Sequence, residues 1–245
     1  MSRLFVYAHR GASAEAPENT LAAFRRAVDA GADGIELDVH LASDGVPVVI
    51  HDDTLDRTTD GTGAVAAQRA ALLQTLDAGA WFSPHFAGEP LPTLEETLRL
   101  LAGRLRINLE VKESRSGLAV LELLRAFPAA DVVISSFDHA LLAALRRTSP
   151  DLPLAVLLEA GNWRRALARA TALRARAFHP HVDLVSRPLL AACRRLHLPV
   201  YAWTVDDPDR ARSLARIGVA GLFTNDPAAL GLHFTCSLRS GRLCL

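Results

Sequence analysis

The sequence predicts an α/β protein that folds as a (β/α)8 barrel of the TIM type, with a small insertion subdomain after the second strand. Short apolar runs alternate with amphipathic segments of helical length along the chain, which is the pattern of parallel strands joined by helices. Eight such runs remain when one returning hairpin strand is set aside. No glycine-rich dinucleotide-binding fingerprint follows the first run, which argues against the alternative, a doubly wound sheet.

The composition limits the classes of function. Half of the 245 residues are hydrophobic, which is enough to bury one large core. The formal net charge is zero, from 27 basic and 27 acidic residues, so no overall field attracts nucleic acid or an anionic membrane. No apolar run reaches the length of a membrane span, and the N-terminus lacks a secretory h-region.

The cysteines indicate the compartment. Cys193, Cys236 and Cys244 show no metal-ligand spacing, and an odd, sparse set suits a reducing compartment better than a disulfide framework. We therefore expect a soluble, cytoplasmic protein with no nucleic-acid partner. The sequence leaves the oligomeric state open.

The first βα unit begins with a short apolar run, residues 4–8, which predicts a buried strand ending at His9. A helix follows, because Asn19 or Thr20 can serve as its N-cap and apolar side chains then recur at helical spacing. Gly31 ends this helix. Asn19 is interpreted as a cap and is left out of the site.

The second strand carries charges. Residues 34–40 alternate between apolar and charged or polar side chains, as in a strand. One face has Ile35, Leu37 and Val39, and the other has Glu36, Asp38 and His40. Asp44-Gly45 predicts a two-residue hairpin turn, and counting back places Asp38 opposite His51 on the returning strand. Two carboxylates and an imidazole would then meet.

The βα alternation stops between residues 52 and 92, where turn signals are frequent. A stretch of roughly forty residues without a long periodic segment is too long for an ordinary connection. We interpret it as an insertion that packs over the mouth of the barrel. Trp81, Phe82 and Phe86 are expected to form its small core.

From Thr93 onwards, helices and strands alternate again, beginning with a helix opened by a Thr93–Glu96 capping box. The remaining strands are predicted at residues 105–112, 132–135, 154–158, 175–178, 200–204 and 221–224, with helices near 118–127, 139–147, 163–173, 188–197 and 208–217 between them. His179 and His181, at the end of one strand, are interpreted as loop histidines.

We therefore expect one barrel domain over residues 1–230, including the insertion 52–92, followed by a loosely ordered or added C-terminal tail, 231–245.

The active site of a (β/α) barrel lies at the carboxyl ends of its strands. Polar or aromatic residues at predicted strand ends are His9, Arg10, Glu36, Asp38, Glu110, Lys112 and Trp203, and the hairpin carries His51 to the same level. Unpaired buried charges are costly, so these groups must pair, bind a metal or bind a charged ligand. This outweighs the alternative of a half-exposed hairpin with its charged face in water.

The carboxylates suit a metal. Glu36, Asp38 and Glu110 form an all-oxygen set appropriate for Mg²⁺ or Ca²⁺. A zinc site with His9 and His51 as ligands is the alternative, disfavoured because hard oxygens dominate.

The remaining groups suit a phosphate ester. Arg10 and Lys112 are cations beside the carboxylates, and a phosphate is the natural partner of cations and a metal. His9 and His51 can transfer protons near neutral pH. Together they indicate acid–base cleavage of a phosphate ester.

The motifs that carry these residues resemble those of the glycerophosphodiester phosphodiesterase family, of the bacterial, cytoplasmic type. They are His9-Arg10-Gly11, Pro17-Glu18-Asn19-Thr20, Gly34-Ile35-Glu36-Leu37-Asp38, Val49-Ile50-His51-Asp52, Leu109-Glu110-Val111-Lys112, Ala202-Trp203-Thr204 and Thr224-Asn225-Asp226-Pro227. Each motif is short, but their order and spacing from the first strand to the last are specific.

The resemblance implies metal-dependent hydrolysis of a small-molecule glycerophosphodiester to sn-glycerol 3-phosphate and an alcohol. It implies that Glu36, Asp38 and Glu110 bind the divalent cation, that His9 and His51 are the acid–base pair, that Arg10 and Lys112 hold the phosphate, and that Trp203 lines the pocket. The alternative activity is a phospholipase-like lyase that releases a cyclic phosphate. A binding protein without catalysis would lack a histidine or carboxylate, and none is missing.

Two of these residues also have a structural interpretation. Trp203 could simply fill the barrel. Arg10 could be a structural partner of Glu18 or Asp226.

Overall fold

The structure, a computed structural model, describes residues 3–230. Its strands are β1 Phe5–Ala8, β2 Gly34–Leu41, β3 Pro47–Val49, β4 Arg106–Val111, β5 Val132–Ser136, β6 Leu154–Leu158, β7 Ala177–Pro180, β8 Tyr201–Ala202 and β9 Gly221–Thr224. Its helices are α1 Leu21–Asp29, α2 Ala70–Leu73, α3 Leu94–Leu101, α4 Ser116–Leu124, α5 His139–Thr148, α6 Trp163–Ala172, α7 Arg187–Arg195 and α8 Pro208–Ile217.

Eight of the strands form a nearly closed parallel barrel, which confirms the predicted (β/α)8 fold. The order around the sheet is β7-β6-β5-β4-β2-β1-β9-β8, and β3 lies outside this path, antiparallel to β2. Single parallel bridges, Phe178 to Val200 and His181 to Trp203, join β7 to β8. The carboxyl ends of all eight strands therefore surround one mouth.

The core lies between the strands and the surrounding helices. Apolar residues of β2 and β4, such as Leu37 and Leu109, are fully buried in one cluster with Phe24 and Leu98 of the helices. The side chains that alternate with them face the barrel axis, because successive residues of a strand point to opposite sides. The charged residues of β2 and β4 therefore lie inside the barrel.

The predicted pairing of Asp38 with His51 is wrong by one residue. The amide of Ile50 donates to the carbonyl of Asp38 at 3.1 Å, and the turn encloses residues 43–45 instead of two residues. Gly45 adopts a left-handed conformation with a φ of 82°, which adds a third residue to the loop. His51 nevertheless reaches the mouth, because it follows the end of β3.

The segment 52–92 has a small aliphatic core. Leu55, Leu73 and Leu91 are buried there together with Val48 on the outer face of β3. This core fixes the segment to the hairpin that leads into it.

The expectation that aromatic residues form this core is wrong. Trp81 is 41 % exposed, and Phe82 packs edge-on against both Trp81 and Phe86 with ring centroids 5.7 Å apart. The aliphatic side chains already fill the space beside β3, so the three rings pack on one another at the surface.

His179 is not a loop histidine. It lies on β7, is 1 % exposed, and packs edge-on against Tyr201 and Phe223. Its Nδ1 has no hydrogen-bond partner among the residues that the structure describes. His181 does lie in the loop that follows, and it caps a short 3-10 turn.

Residues 231–245, the predicted tail, lie outside the described residues. Between residues 3 and 230, no helix has the length and apolar character that would be needed to traverse a lipid bilayer.

Candidate active site

A cavity of about 370 Å³ opens at the carboxyl ends of the strands. The predicted site residues that line it are His9, Arg10, Glu36, His51, Glu110, Lys112 and Trp203. Asp38 does not line the cavity, but its carboxylate is bonded to Lys112, which does. The structure therefore brings all eight predicted site residues together.

The three carboxylates form one cluster. Oxygen atoms of Glu36, Asp38 and Glu110 lie within 4.8 Å of one another, and all three residues are buried. The cluster follows from strand register, because Asp38 on β2 is paired with Glu110 on β4 and Glu36 lies two residues earlier on the same face. Within residues 3–230, the group with metal-ligand spacing consists of these three carboxylates, without His9 or His51, and this favours the all-oxygen set over the zinc alternative.

Two cations lie against the carboxylates. The Nζ atom of Lys112 is 2.9 Å from Oδ1 of Asp38 and 2.6 Å from Oε1 of Glu110. The guanidinium of Arg10 lies 3.4 Å from Asp38 and donates to Oε1 of Glu18 at 2.9 Å. Arg10 thus has the structural partner Glu18 and also faces the cavity.

The protons on these carboxyls are distributed unequally. Burial raises the pKa of Asp38, but Lys112 and Arg10 outweigh it and hold that pKa well below its ordinary range. Burial, with the charges of Asp38 and Glu110, raises the pKa of Glu36 well above its ordinary value. Burial and the Asp38 charge raise the pKa of Glu110 to about 7. The two neighbouring cations therefore do not fully stabilise three ionised carboxylates, and a divalent cation would supply the missing positive charge.

His9 is held by a neutral partner. Its Nδ1 lies 2.8 Å from Oδ1 of Asn225, and the amide of Asn225 donates in turn to Asp206 at 2.8 Å. Because a carboxylate only accepts, this bond fixes the orientation of the Asn225 amide, so its oxygen accepts the proton on Nδ1. Burial and the nearby Arg10 lower the pKa of His9 to about 4. At neutral pH, His9 therefore has a free lone pair on Nε2.

His51 is held by a charged partner. Its Nδ1 lies 2.6 Å from Oδ1 of Asp52, which also accepts two hydrogen bonds from Arg57. Hydrogen bonds from Arg57 are the largest of the effects that hold the pKa of Asp52 well below its ordinary range. Burial lowers the pKa of His51, although Asp38 opposes this. An ionised carboxylate against Nδ1 favours the protonated imidazole more than an amide does.

The interpretation of Asn19 as a helix cap is wrong. Thr20 caps α1, with its side chain accepting from the amide of Ala23. Asn19 has a φ of 58° and is buried, and its Nδ2 donates to Oδ2 of Asp38 at 2.8 Å while its Oδ1 accepts from the Asp38 amide at 3.2 Å. Asn19 therefore orients a carboxylate of the cluster.

Three residues that hold the site received no role in the sequence analysis, and Glu18 was named there only as a structural partner of Arg10. Arg57, Asp206 and Asn225 bond to Asp52, Asn225 and His9 respectively. Glu18 and Asn225 lie inside motifs already quoted, so motif membership was the available signal. The role of Asp206 depends on a loop contact that the sequence pattern does not contain.

Aromatic side chains also line the cavity. Trp203 lines it, with the Phe137 ring edge-on at 5.6 Å, and the indole Nε1 donates to the carbonyl of His179 at 2.9 Å. Trp203 therefore both closes the barrel beside β7 and forms part of the cavity wall.

The chain matches known proteins over nearly its whole length. The profile of the Glycerophosphoryl diester phosphodiesterase family matches residues 9–229. A glycerophosphodiester phosphodiesterase of Caldanaerobacter subterraneus is 38% identical over 241 residues, which cover 93% of this chain and 96% of that protein.

Solved structures agree with the sequence match. A phosphodiesterase of Oleispira antarctica, in complex with the product sn-glycerol-3-phosphate, is similar with a TM-score of 0.88 at 30% identity, covering 94% of this chain and 97% of that one. A glycerophosphodiester phosphodiesterase of Agrobacterium tumefaciens is similar with a TM-score of 0.83 at 32% identity, covering 94% and 99%.

Proposed function

Since this chain belongs to the Glycerophosphoryl diester phosphodiesterase family and is a phosphodiesterase of that kind, we propose that it hydrolyses glycerophosphodiesters to sn-glycerol 3-phosphate and an alcohol. The product bound in the Oleispira enzyme supports this choice of product. The observation that carries the proposal is the meeting of two differently held imidazoles with a buried carboxylate cluster in one cavity.

The donor set fits a divalent cation, Mg²⁺ or Ca²⁺. Glu36, Asp38 and Glu110 would hold it, because these ions prefer hard carboxylate oxygens. Its charge would also offset the burial and the mutual repulsion that raise the pKa values of Glu36 and Glu110. When bound, the cation supplies positive charge beside the phosphate, which stabilises negative charge during cleavage.

The phosphate is held by Arg10 and Lys112. Both line the cavity, and their ion pairs with Asp38 keep them at its base. Guanidinium and ammonium groups in a partly buried site bind phosphate oxygens strongly.

The first step uses both histidines. Nε2 of His9 accepts the proton of the glycerol hydroxyl next to the phosphate, and the freed oxygen attacks phosphorus. The bond from phosphorus to the alcohol oxygen breaks on the opposite side, where His51 donates a proton to the departing alcohol. The scheme requires His51 to start protonated. Burial lowers the pKa of His51 in the unliganded site, whereas the charge of Asp38 and the hydrogen bond to ionised Asp52 raise it, and the negative charge of a bound phosphodiester would raise it further.

The second step reverses the roles. Water attacks the cyclic phosphate and gives its proton to His51, while protonated His9 returns its proton to the glycerol oxygen. Both histidines then have their starting protonation states, and the product is sn-glycerol 3-phosphate.

The alternative lyase would stop after the first step and release the cyclic phosphate. Phosphorus NMR of the products of glycerophosphocholine separates the two, since the enzyme proposed here yields sn-glycerol 3-phosphate. A chelator should abolish turnover, and added Mg²⁺ or Ca²⁺ should restore it. Accumulation of cyclic phosphate would favour the lyase, and full activity with excess chelator would refute the metal assignment.

We also propose that residues 1–230 form one domain and that the segment 52–92 forms part of its mouth, supported by the contacts of Arg57 with Glu18 of the β1–α1 loop. A cytoplasmic location remains a proposal from the sparse cysteines.

A further inference from the structure

We propose that Arg57, a residue of the insertion, is a positioning residue that aligns His51 and Arg10 through the two carboxylates it binds. The inference rests on the proposed function, because it assigns a role within that reaction. Arg57 itself need not touch the substrate.

The contacts of Arg57 form a fork between two segments. Its guanidinium donates to Asp52 at 2.6 and 3.0 Å and to Glu18 at 2.9 and 2.8 Å. Asp52 follows the β3 strand, and Glu18 lies in the loop between β1 and α1. All four hydrogen bonds depend on the planar fork of arginine, which presents several donors in fixed directions.

The carboxylate oxygens that Arg57 binds are also the ones that hold the site residues. Nη2 of Arg57 donates both to Oδ1 of Asp52, which lies against Nδ1 of His51, and to Oε1 of Glu18, which accepts from Arg10. A continuous chain of bonds therefore runs from the phosphate-binding cation to the acid–base histidine. Loss of Arg57, the central member of this chain of bonds, would free the carboxylates of Asp52 and Glu18 to rotate.

The exposure of these groups makes the arrangement dependent on Arg57. The side chain of Asp52 is 26 % exposed and that of Glu18 is 14 % exposed. Without Arg57, water can hydrate Asp52, and Oδ1 no longer has a fixed direction toward His51. A misplaced catalytic group costs on the order of a hundredfold in rate for a shift of about 1 Å.

The functional consequence should depend on the leaving group. If Arg57 aligns His51 for protonation of the alcohol, Arg57→Gln should lower kcat on glycerophosphocholine by on the order of ten- to a hundredfold. KM should rise only a few-fold, because Arg10 loses the alignment of Glu18 but keeps its contact with Asp38. On a glycerophosphodiester with a nitrophenol leaving group, which needs no proton, the loss should fall to a few-fold. A general loss of structure would lower both rates equally.

Chemical rescue gives a second readout. The Arg57 side chain is 44 % exposed, so free guanidinium can reach the space left in Arg57→Ala. Guanidinium should restore part of kcat, whereas methylammonium and the Arg57→Lys variant should restore little, because neither has the fork.

Arg69→Gln is the matched control. Arg69 is another insertion arginine; its side chain is 79 % exposed and lies 3.5 Å from Asp44, away from the cavity. Its removal changes the charge of the insertion by the same amount and should leave kcat and the leaving-group dependence unchanged.

A magnetic-resonance experiment separates this inference from the proposed function. The Nδ1 proton of His51, shared with Asp52 at 2.6 Å, should give a downfield signal that disappears in His51→Ala and is lost or broadened in Arg57→Gln. An unchanged signal in Arg57→Gln, or equal rate losses on both substrates while His51→Ala discriminates between them, would overturn the positioning role. If His51→Ala does not discriminate between the two substrates, the assignment of His51 as the acid fails. The downfield signal of the Nδ1 proton then decides alone whether Arg57 aligns the imidazole.

Discussion

Binding of a divalent cation to the carboxylate cluster should release protons at neutral pH. Without the cation, the pKa of Glu36 lies well above its ordinary value and that of Glu110 is about 7. At pH 7, Glu110 therefore carries about half a proton and Asp38 carries none, and Glu36 holds its proton to a higher pH than a solvent-exposed glutamate does. A metal ligand must be deprotonated, so at least about half a proton should leave from Glu110 for each cation bound, and the raised pKa of Glu36 should add to that number.

The sign of the pH dependence follows. Because the metal-free protein binds more protons than the complex, affinity for Mg²⁺ or Ca²⁺ should rise with pH until both glutamates are ionised. Below pH 7 the protonation of Glu110 alone should lower the affinity by about tenfold for each pH unit, and the raised pKa of Glu36 should make the fall steeper.

The assay is calorimetric titration of the chelator-stripped protein in buffers of different ionisation enthalpy at one pH. The slope of observed enthalpy against buffer enthalpy gives the protons released. In Glu110→Gln, the number should drop by about half a proton or more, because the substitution removes one titrating group and one of the charges that raise the pKa of Glu36.

Glu113→Gln provides the control. Burial would raise the pKa of Glu113, but hydrogen bonds from Arg115 and the Leu41 amide outweigh it, so Glu113 is already ionised at neutral pH. Its replacement should leave the proton count unchanged. Release of no protons at pH 7 by the wild-type protein, or the same count in Glu110→Gln, would refute the electrostatic reasoning.

His9→Ala and His51→Ala should each lower turnover by a factor on the order of 10²–10⁴. A substrate with a nitrophenyl leaving group should restore much of the rate of His51→Ala but not that of His9→Ala. Equal restoration in both variants would contradict the roles assigned. Asn19→Ala should weaken metal binding by on the order of tenfold, since it removes both hydrogen bonds that orient Asp38; unchanged calorimetric affinity would exclude that role. Burial lowers the pKa of His179 to about 3, so below about pH 6.5 the unfolded chain binds more protons than the folded protein. The free energy of unfolding of the wild-type protein should therefore fall by about 2 kcal/mol between pH 7 and pH 5, and His179→Leu should lack this contribution to the fall. Identical losses of the two proteins in urea unfolding would show that His179 is not the cause.

The barrel could be predicted because its signals are local. Each strand between residues 132 and 224 has a short apolar run. Each helix in the same range has a capping side chain, such as Asp138 before α5 and Asp207 before α8. The predicted helix at 208–217 and strand at 221–224 agree with the structure at both ends.

The residues that hold the site could not be predicted in the same way. Asn225 is remote from His9 in sequence, and Arg57 bonds to Glu18 across the mouth. Such contacts exist only once the barrel has closed, so no periodicity reports them. Asn19 was assigned to a cap because capping is the commonest use of an asparagine before a helix, whereas its left-handed backbone conformation turns the side chain toward Asp38.

The register of the β2–β3 hairpin could not be predicted from the residue types, because it depends on the number of residues in the turn. Asp44-Gly45 is typical of a two-residue turn, yet the loop holds three residues because Gly45 extends it. The error was one pair, and it was not detectable from the apolar alternation of β3, whose strand has only three residues.

The length of the turn at residues 43–45 determines which face of β3 points into the barrel. Val48 points into the insertion core and Val49 into the barrel core, so deleting one residue from the turn would exchange the two faces. The imidazole of His51 would then be directed away from the mouth, although no residue of the site had changed. A loop that does not line the cavity therefore determines where His51 lies, and indels at residues 43–45 should be as damaging to turnover as substitutions in the cavity.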